Sequence, residues 1–149
     1  MADNNLHKTS SIEQCKLIEL GKNHHANGNL TVVENNVPVP FDIKRVFYIY
    51  DVPGGEERGG HSHKELQQVI IAISGAFDVL VDDGVNKRTM TLNRPYQGLL
   101  IAPGIWSQQL NFSSGSVCLV LASDYYDEDD YVRDYDEFLQ LTKEKREND

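Results

Sequence analysis

The stretch GGHSHKELQQVIIAISG, Gly59–Gly75, decides the reading of this chain. Its second half, QQVIIAIS, is an apolar run bounded by turn residues and reads as a buried strand. Its first half sets His61 and His63 one residue apart at the mouth of that strand, a spacing that directs both side chains to the same side of an extended backbone. Outward from it, short apolar or alternating runs recur roughly every eight to twelve residues. Upstream these are CKLIEL, NLTVVE and KRVFYIYD; downstream they are AFDVLVD, KRTMTL, QGLLIAP, IWSQQLNF and SVCLVLAS. The breaks carry turn chemistry: Asn-Gly in HHANGN, Asp-Gly in VDDGVN, Pro-Gly in VPGG and APG. FDVLVDDGVNKRTMTL predicts a hairpin with Phe77, Val79 and Val81 on one face. A helical spacing appears only from Asp127, where Tyr131, Tyr135, Phe138, Leu139 and Thr142 keep one face and acids precede bases along the dipole; it predicts one helix that frays through KEKREND. The pattern as a whole predicts an all-β barrel with a C-terminal α-helix, one domain over residues 1–149.

The totals agree with an ordinary globular chain: 149 residues, 40% hydrophobic and 25% charged. No run has the apolar length of a membrane span, and MADNNLHKTSSIEQ lacks a signal-peptide core. Cys15 and Cys118 are too few for a disulfide framework and read as free thiols, so the expected compartment is the reducing cytoplasm. A net charge of -9 argues against nucleic acid as a partner. Against that acidic background Lys44, Arg45, Arg58 and Lys64 concentrate positive charge near the histidines, where an anion could be held; a salt-bridged surface is the plainer alternative.

Gly55, His61, His63, Gln68 and Gly75 together resemble the first signature of the cupin barrels, and Pro103-Gly104 with Asn111 fits the frame of the second. Metal-binding cupins carry a glutamate where this chain has Gln68 and a histidine where it has Ser107. A transition metal wants several imidazole, thiolate or carboxylate donors, and neutral amide and hydroxyl oxygens are poor replacements. No metal is therefore expected at His61 and His63. The pair instead suits acid–base work, since imidazole takes and returns protons near neutrality. Arg45 and Arg58 suit a diphosphate or a developing enolate oxygen. Tyr48 could relay a proton or donate to an oxyanion, although a packed ring is as plain a reading for it. His24 and His25 sit in a turn-rich stretch and read as solvent-exposed.

FDIKRVFYIYD, GGEERGGHSHKELQQVIIAISGAFDVLVDDG and above all LASDYYDEDDYVRDYDEF are similar to the dTDP-4-oxo-6-deoxy-glucose 3,4-ketoisomerases, over about Gly28 to Phe138. That resemblance implies a cupin jelly roll without metal or other cofactor, a homodimer, and a cytoplasmic role in making deoxy and amino sugars for surface polysaccharide. It implies a reaction that moves a ketone from C4 to C3 of a dTDP-linked 6-deoxyhexose through an enediolate. It assigns catalysis to His61, His63 and Tyr48, with His63 favoured as the base, and a place beside them to Arg58; the local positive charge adds Arg45 and Lys64 to the expected substrate-binding residues. Trp106 and Ser107 fall in the second motif near the sugar. Relatives carry histidine or arginine where this chain has Ser107, and an arginine where it has Asn27, so the product's configuration at C4 stays open. The acidic C-terminal segment is expected only to cap the barrel. A nucleotide-sugar 3,5-epimerase and a non-catalytic sugar-nucleotide-binding cupin are the alternatives.

Overall fold

The structure, a computed structural model, describes residues 8–148; the expectation for MADNNLH falls outside them. In chain order the strands are β1 (Leu17–Glu19), β2 (Asn23–His25), β3 (Gly28–Leu30), β4 (Glu34–Asn35), β5 (Pro38–Val39), β6 (Arg45–Ile49) and β7 (Arg58–His63). They continue as β8 (Gln68–Ser74), β9 (Phe77–Asp82), β10 (Lys87–Leu92), β11 (Gln97–Ile101), β12 (Trp106–Leu110), β13 (Val117–Ala122) and β14 (Tyr131–Val132), followed by helix α1 (Tyr135–Asn148). Two five-stranded antiparallel sheets, β1-β11-β8-β13-β6 and β10-β9-β12-β7-β14, make the jelly roll. No described helix is long and apolar enough to cross a membrane.

Strand alternation fills the space between the sheets. Phe77, Val79 and Val81 of β9 share one buried face, as their spacing predicts, and meet Ile70 and Ala72 of β8 and Cys118 and Val120 of β13. Odd-numbered residues of β8 face the other way, where Val69 and Ile71 pack with Leu20, Val39, Phe41 and Leu121. The strand is covered on both faces, which is why VIIA is apolar throughout instead of alternating. Gly75 closes the β8–β9 connection at φ +69, and a Cβ there would lie 2.6 Å from Ser113 Oγ and 2.9 Å from Ser116 Cα. Only glycine meets both demands.

Two departures from the sequence reading bear on the site. The first is that GGHSH is itself a strand, β7, and it is bulged. His61 lies opposite Ser107, Gly59 opposite Gln108 and Arg58 opposite Gln109, so Gly60 is the extra residue. A regular strand would put Arg58 and His61, three apart, on opposite faces; the bulge puts both on the barrel's inner face. Gly59 and Gly60 supply the left-handed backbone at φ +85 and +80.

The second concerns the C-terminal segment, which is not one helix from Asp127. Asp127 caps a short 3-10 turn by accepting from Asp129 N, and Tyr131–Val132 then runs extended beside His63 and Ser62 of β7. The helix begins only at Tyr135, where the Asp134 carboxylate accepts from Glu137 N at 3.0 Å. Spacings of four and three from Tyr131 to Tyr135 to Phe138 imitate a helical stripe, but the acid-rich caps interrupt it. Phe138 packs on Trp106 and Val132 on the outer face of the second sheet.

Candidate active site

Inward-facing residues of five strands converge at one end of the barrel. The row Arg45–Ala122–Gln68 crosses β6, β13 and β8, while His61 and Ser107 stand opposite each other on β7 and β12. Tyr131 of β14 lies opposite His63. The result is a cleft of about 280 Å³ bordered by His61, Gln68, Arg58, Gln109, Tyr131 and Arg133. Hollows of about 390 and 430 Å³ lie beside α1 and on the outer face of the first sheet. Neither contains a histidine, so chemistry and not size singles out the smaller cleft.

The two imidazoles meet edge to face with ring centres 4.9 Å apart, and Tyr131 stands 5.1 Å from His61 and 4.3 Å from His63. His63 is buried behind His61 and Gln68, which border the cleft. Its Nε2 lies 3.2 Å from Gln68 Nε2, so the amide donates to an unprotonated ring nitrogen. On the other side, Nδ1 is 3.3 Å from Asp130 Oδ2, close enough for an ion pair but not aligned for a hydrogen bond. Asp130 is fixed by backbone donors, with Glu65 N 2.9 Å from Oδ1 and Leu66 N 3.3 Å from Oδ2. Burial acts to raise its pKa, but His63 and these two amides outweigh it and hold the carboxyl below its ordinary range.

His61 behaves differently. Burial, then His63, then Arg133 push its pKa down to about 4, against a small opposing pull from Glu128. It is therefore neutral at pH 7, with one ring nitrogen donating and the other accepting. Between pH 4 and 6.5 the unfolded chain binds more protons than the folded one at this residue. Stability is thus lost as pH falls through that window, by about 2 kcal/mol after allowance for solvent at the cleft. Urea denaturation between pH 7 and 4 should show the loss, and it should shrink in His61→Asn; equal pH dependence in the two proteins would contradict a buried neutral His61.

Two arginines frame the cleft unequally. Arg133 lies 4.2 Å over the Tyr131 ring and is paired to Glu128 through two contacts, of 2.8 and 2.9 Å. Arg58 has no carboxylate within ion-pair distance among the described residues, which leaves its charge for a ligand. Arg45 sits inward with its guanidinium 5.2 Å from the Phe47 ring and 5.6 Å from the Tyr126 ring, and its Nε is buried without a partner. Among the described residues no three His, Cys, Asp or Glu side chains cluster so as to hold a metal ion.

Of the expected residues, His61, Arg58 and Tyr48 line the cleft; His63 packs on His61, Ser107 pairs opposite it, and Arg45 shares the inner face, whereas Trp106 lies elsewhere. Trp106 faces the opposite side of β12 from Ser107, its ring 5.2 Å from Tyr135 and 5.7 Å from Phe138 beneath α1. Tyr48 alternates with the inward Phe47 and Ile49, so it lies on the outer face of β6, 62% exposed, and borders the cleft at its rim. Lys64 follows the last residue of β7; its backbone N–H donates to Asp130 O. His24 and His25 are exposed on the β2–β3 hairpin, as expected. Asp130, Tyr131 and Arg133 correct the expectation that the C-terminal segment only caps the barrel: a short extended stretch before the helix delivers them to the histidines. The available signal was the segment SDYYDEDDYVRDYDEF itself, whose aromatics and acids no barrel requires.

Comparison with known proteins shows the family of the chain. Residues 13–143 match the family model described as FdtA, WxcM-like, C-terminal. Over 123 residues the chain is 46% identical to the TDP-4-oxo-6-deoxy-alpha-D-glucose-3,4-oxoisomerase of Aneurinibacillus thermoaerophilus, across 83% of this chain and 88% of that protein. The TDP-quinovose 3,4-ketoisomerase WlaRB of Campylobacter jejuni superimposes with a TM-score of 0.82 at 47% identity, covering 87% of this chain and 99% of that one. A histidine-to-asparagine variant of the 3,4-ketoisomerase QdtA from Thermoanaerobacterium thermosaccharolyticum, in complex with TDP-4-keto-6-deoxyglucose, gives a TM-score of 0.85 at 40% identity, covering 87% and 94%. With a jelly roll, a paired-histidine cleft and relatives of this closeness, the chain belongs to the WxcM-like FdtA family of enzymes, whose members compared here are sugar 3,4-ketoisomerases.

Proposed function

We propose that this protein is a nucleotide-sugar 3,4-ketoisomerase that converts a TDP-4-keto-6-deoxyhexose into its 3-keto isomer. The observation that carries the reading is His61 lining the cleft beside the uncompensated Arg58, with the buried His63 packed against it, in a chain whose relatives are named for such sugars. A ketone at C4 acidifies the proton on C3. His63 removes that proton through Nε2 once the sugar displaces the Gln68 amide, giving an enediolate. Arg58 and Arg45 supply positive charge toward the diphosphate and the developing oxyanion. The O3 proton must move to O4, and neutral His61 suits that task because imidazole accepts at one nitrogen while donating at the other. Protonation at C4 completes the isomer, and its configuration depends on which face of the enediolate the acid reaches. Ser107, opposite His61, is placed to position a sugar hydroxyl there.

The protein acts in the cytoplasm as a homodimer, supplying deoxy or amino sugars for surface polysaccharide. Exposed Val46, Tyr48 and Ile73 on the outer face of the first sheet support the dimer, since apolar side chains on a sheet face and an unpaired β6 edge gain from cover. The deciding experiment is proton NMR of the protein with TDP-4-keto-6-deoxyglucose in deuterated buffer containing EDTA. Deuterium should enter C4 of a new 3-keto product, and the coupling of neighbouring ring protons reports the C4 configuration. Label at C5 would indicate an epimerase, and broadened but unlabelled sugar signals a binding protein; either removes this reading.

A further inference from the structure

His63 has two ring nitrogens and only one proton to place when neutral, and the surroundings decide which nitrogen holds it. Nε2 faces the Gln68 amide nitrogen, which donates, so Nε2 must accept. Nδ1 is buried, and Asp130 Oδ2 lies 3.3 Å from it. The misalignment there resembles the loose contacts of unliganded catalytic sites, which tighten when substrate fills the cleft. The other charged or titratable groups facing His63 are His61 on its own strand and Tyr131 on β14, with Arg133 beyond the Tyr131 ring. Neither ring supplies a carboxylate, and among the described residues the carboxylate within ion-pair distance of His63 is that of Asp130, on the Nδ1 side.

Asp130 also has the rigidity the task needs. Its two oxygens cap Glu65 N and Leu66 N, and its own backbone carbonyl accepts from Lys64 N at 2.9 Å. The three residues that follow His63 are thereby fastened to the residue that faces its ring. We propose that Asp130 is a positioning residue: its carboxylate keeps the proton on His63 Nδ1, so that Nε2 presents a lone pair toward Gln68, which borders the cleft. The inference rests on the ketoisomerase reading only for what that lone pair does, not for the tautomer.

Asp130→Asn makes the decisive variant. The asparagine oxygen can still accept from Glu65 N, but its amide presents hydrogens to Nδ1, which must then accept. The proton moves to Nε2, and Gln68 turns its oxygen toward the ring. Long-range proton–nitrogen correlation spectra of the ligand-free, 15N-histidine-labelled protein at pH 7.5 read the tautomer directly. The wild type should show the Nδ1–H form and Asp130→Asn the Nε2–H form. Asp130→Glu, which keeps a carboxylate, should retain Nδ1–H, and it decides the matter if the asparagine variant does not fold. With TDP-4-keto-6-deoxyglucose, kcat of Asp130→Asn should fall about a hundredfold with KM within about threefold, and Asp130→Glu should recover part of the loss. An Nε2–H tautomer in the wild type, no change in the asparagine variant, or a tautomer change without loss of kcat would each overturn the proposal. A wild-type protein that shows the tautomer pattern but does not isomerise the sugar would remove the functional reading and leave the positioning role standing.

Discussion

In a His63→Asn variant, turnover of TDP-4-keto-6-deoxyglucose falls by about a thousandfold while KM changes little. The size follows from the role: a positioned general base contributes roughly two to four orders of magnitude, and asparagine has no group that can take a proton from carbon. KM should hold because the binding charges of Arg58 and Arg45 belong to other positions, and because His63 is buried behind His61. Deuterium incorporation at C4 should fall in parallel with kcat, since the same proton abstraction precedes both. His61→Asn should lose less, because water can carry a hydroxyl proton between O3 and O4 more readily than it can remove one from carbon. Steady-state kinetics of the two variants, with circular dichroism to confirm folding, check this. Equal losses in the two, or a larger loss at His61, would reverse the assigned roles.

The largest effect on stability is expected from Phe138→Ala. Phe138 is fully buried against Trp106 and Val132 and packed by Tyr135, Leu139 and Leu141. Removing a buried phenylalanine ring costs about 3–5 kcal/mol from lost transfer energy and the cavity left behind. For a chain of this size that lowers the melting temperature by about 10 °C. Activity should suffer at temperatures where the fold survives, because Val132 joins that cluster while its neighbours Tyr131 and Arg133 border the cleft. Calorimetry gives the first number and an activity–temperature series the second. A melting temperature within about 2 °C of wild type would mean that α1 is not an integral part of the barrel.

The barrel was legible in the sequence because strands announce themselves locally. Alternation at Phe77, Val79 and Val81 and an Asp-Gly turn are enough to place β9 and β10. The histidine pair was legible for the same reason, since a period of two holds within a single strand. What the sequence hid depends on pairing between distant segments. Trp106 and Ser107 are neighbours in the chain and occupy opposite faces of β12, so proximity to a motif could not tell which of them faces the site. Tyr48 alternates to the outer side of β6 and still reaches the cleft's rim, which the strand period alone could not tell. Tyr131 mimicked a helical position and became a strand residue because a partner strand, β7, was available to it.

The bulge at Gly60 gives the family a ruler. On a flat strand, side chains that work together must be an even number of positions apart, yet here the guanidinium and the imidazole are separated by three. An odd interval between an arginine and a histidine, spanned by two glycines, therefore signals the kink before any coordinates exist. It also makes this point unusually sensitive to chain length. Loss of the one extra residue would restore the even ladder and turn Arg58 outward, leaving both histidines in place and the guanidinium absent from the cavity. Length, as much as residue identity, sets which side chains share the inner face across Arg58–His61.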